Sequence, residues 1–316
     1  MKNNLIKNIC SMPLVASSIF NLIDWIPSKL YGGYILCWHD LSAEIFKSQV
    51  ESLYPSKPIP LEELVVRHKS GKSTEGCFAI TFDDGVSITV RDISTLCTSM
   101  GWPVTFYIPT GYLDGEALPY QKIQIIEKHL PIGNYTIPKI NGGIQNNTFD
   151  KPGLINFLTN SLYSVPVRSI NTIIDHFIDL VKIEKKISLL NNLYPQAISW
   201  DVIEELSKNS LISFQSHSVS HTAVSSLSES EIEDEMLKSK LIIEQHTNQK
   251  VHSFCYPYGN KEAIGKYASK IASKHYSSAV TLLRGRLRDN NPYNLPRIDL
   301  YESDSSSIAR LKIIVS

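Results

Sequence analysis

Short runs of strand-forming residues, each stopped by polar or turn-forming residues, recur along this chain with helical periodicity between them. Tyr34–Trp38 runs into His39-Asp40, Cys77–Phe82 runs into Asp83-Asp84-Gly85, and Val104–Ile108 is closed by Pro109. Further strands are expected at 211–215, 251–256, 278–282 and 294–300. Helical spacing fills the gaps at 43–54, 86–100, 200–208, 229–247 and 261–275. Ser228, followed three residues later by Glu231, supplies a capping box for the helix at 229–247. Strand and helix in alternation is the pattern of an α/β fold, and a chain of 316 residues is long enough for a distorted (β/α) barrel.

The rhythm breaks between about residues 113 and 199. This stretch carries Asn141-Gly142-Gly143 and Asn146-Asn147 and then helix-like runs such as 170–180. It reads as an insertion forming a small helical subdomain. The expected organisation is an N-terminal segment, 1–33, followed by one barrel, 34–316, interrupted by the insertion at 113–199.

Composition narrows the partners. Lys and Arg number 31 against 31 Asp and Glu, so the net charge is zero, and 42% of residues are hydrophobic. Such a chain buries a large core but cannot draw a polyanion from a distance, which argues against a nucleic-acid binder. The five cysteines share no C-x-x-C spacing and read as buried thiols in a reducing compartment. Lys2 and Lys7 precede an apolar stretch at 9–23 that Pro13, Ser17, Ser18 and Asn21 interrupt and Asp24 ends. Residues 1–30 are therefore expected to form an amphipathic helix resting against a membrane surface, in a cytoplasmic protein. Export through an N-terminal signal is the alternative.

The polar residues at the strand ends carry the chemistry. In a (β/α) barrel the C-terminal rim of the strands is where active sites are built. Adjacent carboxylates at Asp83 and Asp84 point in opposite directions, so one can ligate a metal while the other faces substrate or water. A solvated acidic turn capping the next helix is the competing reading. His217 and His221, four apart, fall on one face of a helical turn and can converge on one ion, unless they are unrelated loop residues. With a carboxylate from another strand end they make an Asp-plus-two-His set, which leaves coordination positions open and suits catalysis. His68, His129, His176, His246, His252 and His275 share no spacing and read as structural or surface residues.

Thr81-Phe82-Asp83-Asp84-Gly85, Ser216-His217-Ser218-Val219-Ser220-His221 and Phe254-Cys255-Tyr256-Pro257-Tyr258-Gly259 resemble the first three motifs of the polysaccharide deacetylases, carbohydrate esterase family 4. Ser199-Trp200-Asp201, Leu227-Ser228 and Asn294-Leu295-Pro296-Arg297-Ile298 are similar in the flanks. The resemblance covers about residues 35–300, without the insertion. It implies Asp83 as catalytic base and Asp84, His217 and His221 as ligands of a divalent metal, most often zinc. It also implies a backbone N–H at Tyr256 or its neighbours as oxyanion donor, with Pro257 and Tyr258 shaping the substrate groove. Arg297 is expected to pair with Asp83 or border the site, against an ordinary surface ion pair.

One departure from the family pattern is informative. The histidine usual near the C-terminus is missing, since none follows His275. His39 at the first strand end resembles the acid of the circularly permuted branch that includes poly-N-acetylglucosamine deacetylases. On that resemblance His39 is the general acid, with a capped structural histidine as the alternative; Asp40 would orient it or cap the next helix. The expected function is metal-dependent hydrolysis of the N-acetyl group of an acetamido sugar, in polysaccharide biosynthesis. O-acetyl esterase activity and an inactive glycan-binding barrel are the alternatives.

Overall fold

The computed structural model describes residues 33–115, 117–138, 147–185, 193–287 and 291–316. In chain order the first half contains β1 (Tyr34–Trp38), α1 (Ala43–Glu51), β2 (Lys57–Pro58), α2 (Leu61–Lys69), β3 (Cys77–Phe82), α3 (Ser87–Met100), β4 (Val104–Ile108) and the short α4 (Thr110–Leu113). The inserted stretch follows as α5 (Pro119–His129), β5 (Asn134–Thr136), β6 (Thr148–Asp150), α6 (Lys151–Ser164) and α7 (Val167–Lys185). Then come α8 (Trp200–Leu206), β7 (Ile212–Ser216), a 3-10 turn at Val224–Ser226, α9 (Glu229–Thr247) and β8 (Ser253–Cys255). The chain closes with α10 (Lys261–Ile264), α11 (Ala268–His275), β9 (Ser278–Arg284), β10 (Leu295–Asp299) and α12 (Ser306–Ile314).

Seven parallel strands in the order β1-β10-β9-β8-β7-β4-β3 close into a barrel because β3 also pairs with β1. The short β2 extends the sheet beside β3. Closure removes the exposed edges of the sheet, and period-2 alternation then divides each strand between two cores. Residues Trp38, Phe82, Phe106 and Phe214 are register partners on β1, β3, β4 and β7 and lie on one face. Their rings stand 5.5, 5.7 and 5.7 Å apart, a continuous aromatic row against the outer helices. The alternate residues, among them Ile35, Ala79, Tyr107, Cys255 and Val280, form a second cluster in the barrel.

The seven barrel strands agree with the sequence reading to within two residues at each end, because buried apolar runs declare themselves, whereas β2, β5 and β6 are not foreseen. The expected helix at 261–275 is instead two helices, α10 and α11, separated at Gly265. Gly265 has φ +71°, and a Cβ there would stand 2.9 Å from the Ser225 Cα. The break lets α10 lie against the 3-10 turn, and no residue with a side chain fits it.

The insertion is built around its own apolar cluster, which includes Ile126, Leu158, Ile174 and Phe177 from α5, α6 and α7. It is not wholly helical, since β5 and β6 form an antiparallel ribbon. The turn residues Asn141-Gly142-Gly143 lie outside the described residues, as does the N-terminal segment apart from Gly33. Among the described residues, no helix is long and apolar enough to cross a membrane.

Candidate active site

The barrel topology brings His39, Asp83, Asp84, His217, His221 and Tyr258 to one rim. The Asp83 N–H donates to the Trp38 carbonyl at 3.0 Å, keeping the ends of β1 and β3 level. The His217 N–H does the same with Ile108 at 3.1 Å for β7 and β4. Beyond these rungs the backbone leaves regular geometry: Asp84, Ser218, His221 and Tyr258 have φ of 73°, 68°, 54° and 60°. Only one other described non-glycine residue, Asn248 at a helix C-terminus, has positive φ. Left-handed backbone concentrated at one rim marks a site whose geometry the surrounding structure imposes.

The convergence of His217 and His221 is one consequence. Sequence spacing suggests a helical turn, but residues 217–223 are not helical. Two left-handed residues, Ser218 and His221, curl this loop instead, and the His217 and His221 rings meet edge-to-face with centroids 4.7 Å apart. Glu235 on α9 holds the loop, its Oε2 accepting from the N–H groups of Val219 and Ser220 at 2.8 and 2.9 Å.

Asp83 faces the barrel interior and Asp84 faces the histidines. The fully buried Arg297 grips Asp83 with two hydrogen bonds, Nη1 to Oδ1 at 2.8 Å and Nη2 to Oδ2 at 2.6 Å. Its Nε donates to the Thr281 carbonyl at 2.9 Å, which fixes the fork. Thiols of Cys37 and Cys255 donate to Asp83 Oδ2 at 3.6 and 3.5 Å. Burial acts to raise the pKa of Asp83, but Arg297 outweighs it and holds the carboxyl well below the usual carboxylate range. The pair is thus an interior ion pair, not a surface one. His39 stands at the mouth, its side chain 37% exposed and its Nε2 3.8 Å from Asp83 Oδ2. Asp40 accepts from Thr89 Oγ1 at 2.5 Å, while the N-cap of α1 is Ser42.

Asp84, His217 and His221 form a buried donor set whose ligating atoms lie within 4.8 Å of one another. Asp84 Oδ1 is 3.6 Å from His217 Nε2 and 3.3 Å from His221 Nε2. Neither approach has hydrogen-bond geometry, so this buried oxygen is left without a partner. Three donors converging on a point, one of them orphaned, fit a divalent cation better than a hydrogen-bond network. His217 is oriented for the role, with its Nδ1 2.8 Å from the Cys255 carbonyl. Burial opposes ionisation of Asp84, yet the two imidazoles leave its pKa well below the usual carboxylate range.

Two expectations for the third motif need correction. The Tyr256 N–H already donates to the Val280 carbonyl at 3.2 Å, as part of the barrel, so it is not free to receive an oxyanion. Pro257 is buried and does not line the cavity, which leaves Tyr258 as the groove residue of that pair. Next to it, Gly259 has φ +53°, and a Cβ there would stand 2.6 Å from the Leu282 nitrogen. That close approach turns Tyr258 back toward His221, their rings 4.8 Å apart.

A cavity of about 400 Å³ opens over His39, Asp83, Asp84, His217, His221 and Tyr258. Its far wall comes from the insertion: Tyr120, Ile123 and Glu127 on α5, and Ile155, Leu162 and Tyr163 on α6. Sequence reading misses this wall. Tyr120 sits in a Leu-Pro-Tyr stretch with no spacing to tie it to the strand ends, yet its hydroxyl donates to Asp84 Oδ2 at 3.0 Å. Burial and the adjacent Asp84 keep that hydroxyl protonated far above the usual tyrosine range.

Part of the sequence and the fold are shared with known proteins. Residues 168–276 match the family model described as polysaccharide deacetylase, a span that includes His217, His221 and Tyr258 but not Asp83 or His39. Among solved structures, the fold is similar to Streptococcus pyogenes deacetylase PplD in complex with acetate. The TM-score is 0.55 at 15% identity, over 89% of this chain and 98% of that one. IcaB from Ammonifex degensii gives 0.56 at 15% identity, over 90% and 97%. The BpsB deacetylase domain from Bordetella bronchiseptica gives 0.51 at 14%, over 87% and 98%. No curated protein matches the sequence. Residues 168–276 thus resemble a polysaccharide deacetylase domain, and the barrel fold is shared with these solved structures.

Proposed function

We propose that the chain is a metal-dependent carbohydrate N-deacetylase, hydrolysing the acetamide of an N-acetylated sugar in a polysaccharide or glycan precursor to amine and acetate. The observation that carries the reading is the buried Asp84, His217 and His221 set, with its orphaned oxygen, beside an Asp83 that Arg297 keeps ionised. Asp84, His217 and His221 would hold a divalent cation, zinc by the chemistry of the donors, which would supply Lewis acidity toward the acetyl carbonyl and the attacking water. Asp83 accepts the proton of that water. Its basicity is low, so it depends on the water's raised acidity. His39, at the cavity mouth, donates a proton to the leaving nitrogen as the C–N bond breaks. Asp83 and His39, 3.8 Å apart, then return to their starting states by proton transfer through a bridging water.

An amine is a poor leaving group unless protonated, and His39 stands where it could supply that proton, which favours amide over ester hydrolysis. The reading is tested by following acetate release in parallel from N-acetylated and O-acetylated oligosaccharides. The N-acetylated substrate is expected to be preferred. His39→Ala should slow its turnover on the order of 10²-fold or more while leaving bound metal unchanged. Preferential release from the O-acetylated substrate would replace the reading with an esterase. Loss of metal in His39→Ala would remove His39 from the acid role.

A further inference from the structure

We infer that Tyr120, carried by the insertion helix α5, is a positioning residue for the metal centre. Its hydroxyl fixes one oxygen of Asp84 so that the other is presented to the cation, and its ring backs His221. This rests on the metal reading above and goes beyond it, because it gives the insertion a part in assembling the centre.

The two oxygens of Asp84 have different surroundings. Oδ2 accepts from Tyr120 at 3.0 Å, whereas Oδ1, facing both histidine Nε2 atoms, has no hydrogen-bond partner. A carboxylate held by one oxygen and free at the other is set to ligate through a single atom. The two histidines differ in the same way. His217 Nδ1 is anchored on the Cys255 carbonyl, but the buried His221 Nδ1 has no partner. What orients the His221 ring is packing: Tyr258 at 4.8 Å on one side and Tyr120 at 5.6 Å on another, both edge-to-face.

Tyr120 is itself well fixed. Its neighbour Gln121, 1% exposed, accepts from the Leu118 N–H at 2.9 Å through Oε1 and donates through Nε2 to the Tyr112 hydroxyl at 3.1 Å. Tyr112 in turn donates to the Pro195 carbonyl. Both ends of the insertion are thereby tied to one tyrosine beneath the site.

The test measures metal affinity and coordination in the full chain, not only activity. Zinc affinity of wild type, Tyr120→Phe and the surface control Lys128→Ala would be measured by chelator competition. Cobalt(II)-substituted forms would be compared by visible absorption, and thermal unfolding of the metal-free forms would report folding. Loss of the hydroxyl alone is expected to weaken zinc binding about 10- to 100-fold and to alter the cobalt spectrum. The apo melting curve should hold, and Lys128→Ala should match wild type. Wild-type zinc affinity and an unchanged cobalt spectrum in Tyr120→Phe would overturn the inference while leaving the metal reading intact. Failure of the wild type to bind a metal ion would take down the metal reading, and this inference with it.

Discussion

A guanidinium with no exposed surface, Arg297, is neutralised inside the barrel by one carboxylate, Asp83. The same residue is therefore asked for stability and for chemistry. Replacing Asp83 with Asn removes the negative charge and leaves a buried cation uncompensated, which costs on the order of 3–5 kcal/mol. Asp83→Asn is expected to bind metal, because Asp84, His217 and His221 remain, while acetate release falls by about 10²–10⁴-fold. Denaturant unfolding measured alongside should show the stability loss; an undiminished rate would remove Asp83 from the base role. The pH dependence has a definite sign. The folded pKa of Asp83 lies below its unfolded value of about 3.9, so its contribution is complete above that value. It is lost progressively as pH falls from that value down through the depressed folded value. Wild-type stability should decline there, and Asp83→Asn should lack that part of the decline.

At the scale of elements, the motif Tyr256-Pro257-Tyr258-Gly259 matters chiefly through its backbone. Gly259 brings the chain within reach of β9, and Tyr258 is turned onto His221 as a result. Gly259→Ala would push a methyl group against the Leu282 backbone in a conformation that side chains disfavour. Unfolding free energy should fall by about 1–3 kcal/mol, with weaker metal binding as His221 loses its backing. A folded variant with wild-type affinity would show that Tyr258 does not hold His221. The barrel strands and most of the helices packed around them are legible in the sequence because buried apolar runs and a capping box are local signals. The break at Gly265 is not, since its cause is Ser225, forty residues earlier. Nor is the loop path at 217–221, where a spacing that fits a helix is produced by left-handed residues.

Across the whole molecule, legibility follows the same division. His39, Asp83, Asp84, His217 and His221 stand out because a barrel must gather its strand ends, whatever lies between them, and Arg297 stands out through the family resemblance. Tyr120 and the apolar wall from α5 and α6 are hidden because the insertion has no period relating it to the rim. The barrel supplies the donor set and the insertion encloses it, giving a cavity of about 400 Å³ with an apolar far wall. With 31 cationic and 31 anionic residues the chain has no long-range pull on a charged polymer. The proposed acetamido sugar would then be recognised by contacts inside the cavity. The central claim is that Asp84, His217 and His221 hold the ion on which hydrolysis depends. The direct measurement is metal content by elemental analysis together with acetate released from an N-acetylated oligosaccharide, for wild type and His217→Ala. The account predicts one divalent ion per wild-type chain, acetate release abolished by chelation and restored by zinc, and loss of both ion and release in His217→Ala. Acetate release that persists undiminished in a metal-free chain would contradict it.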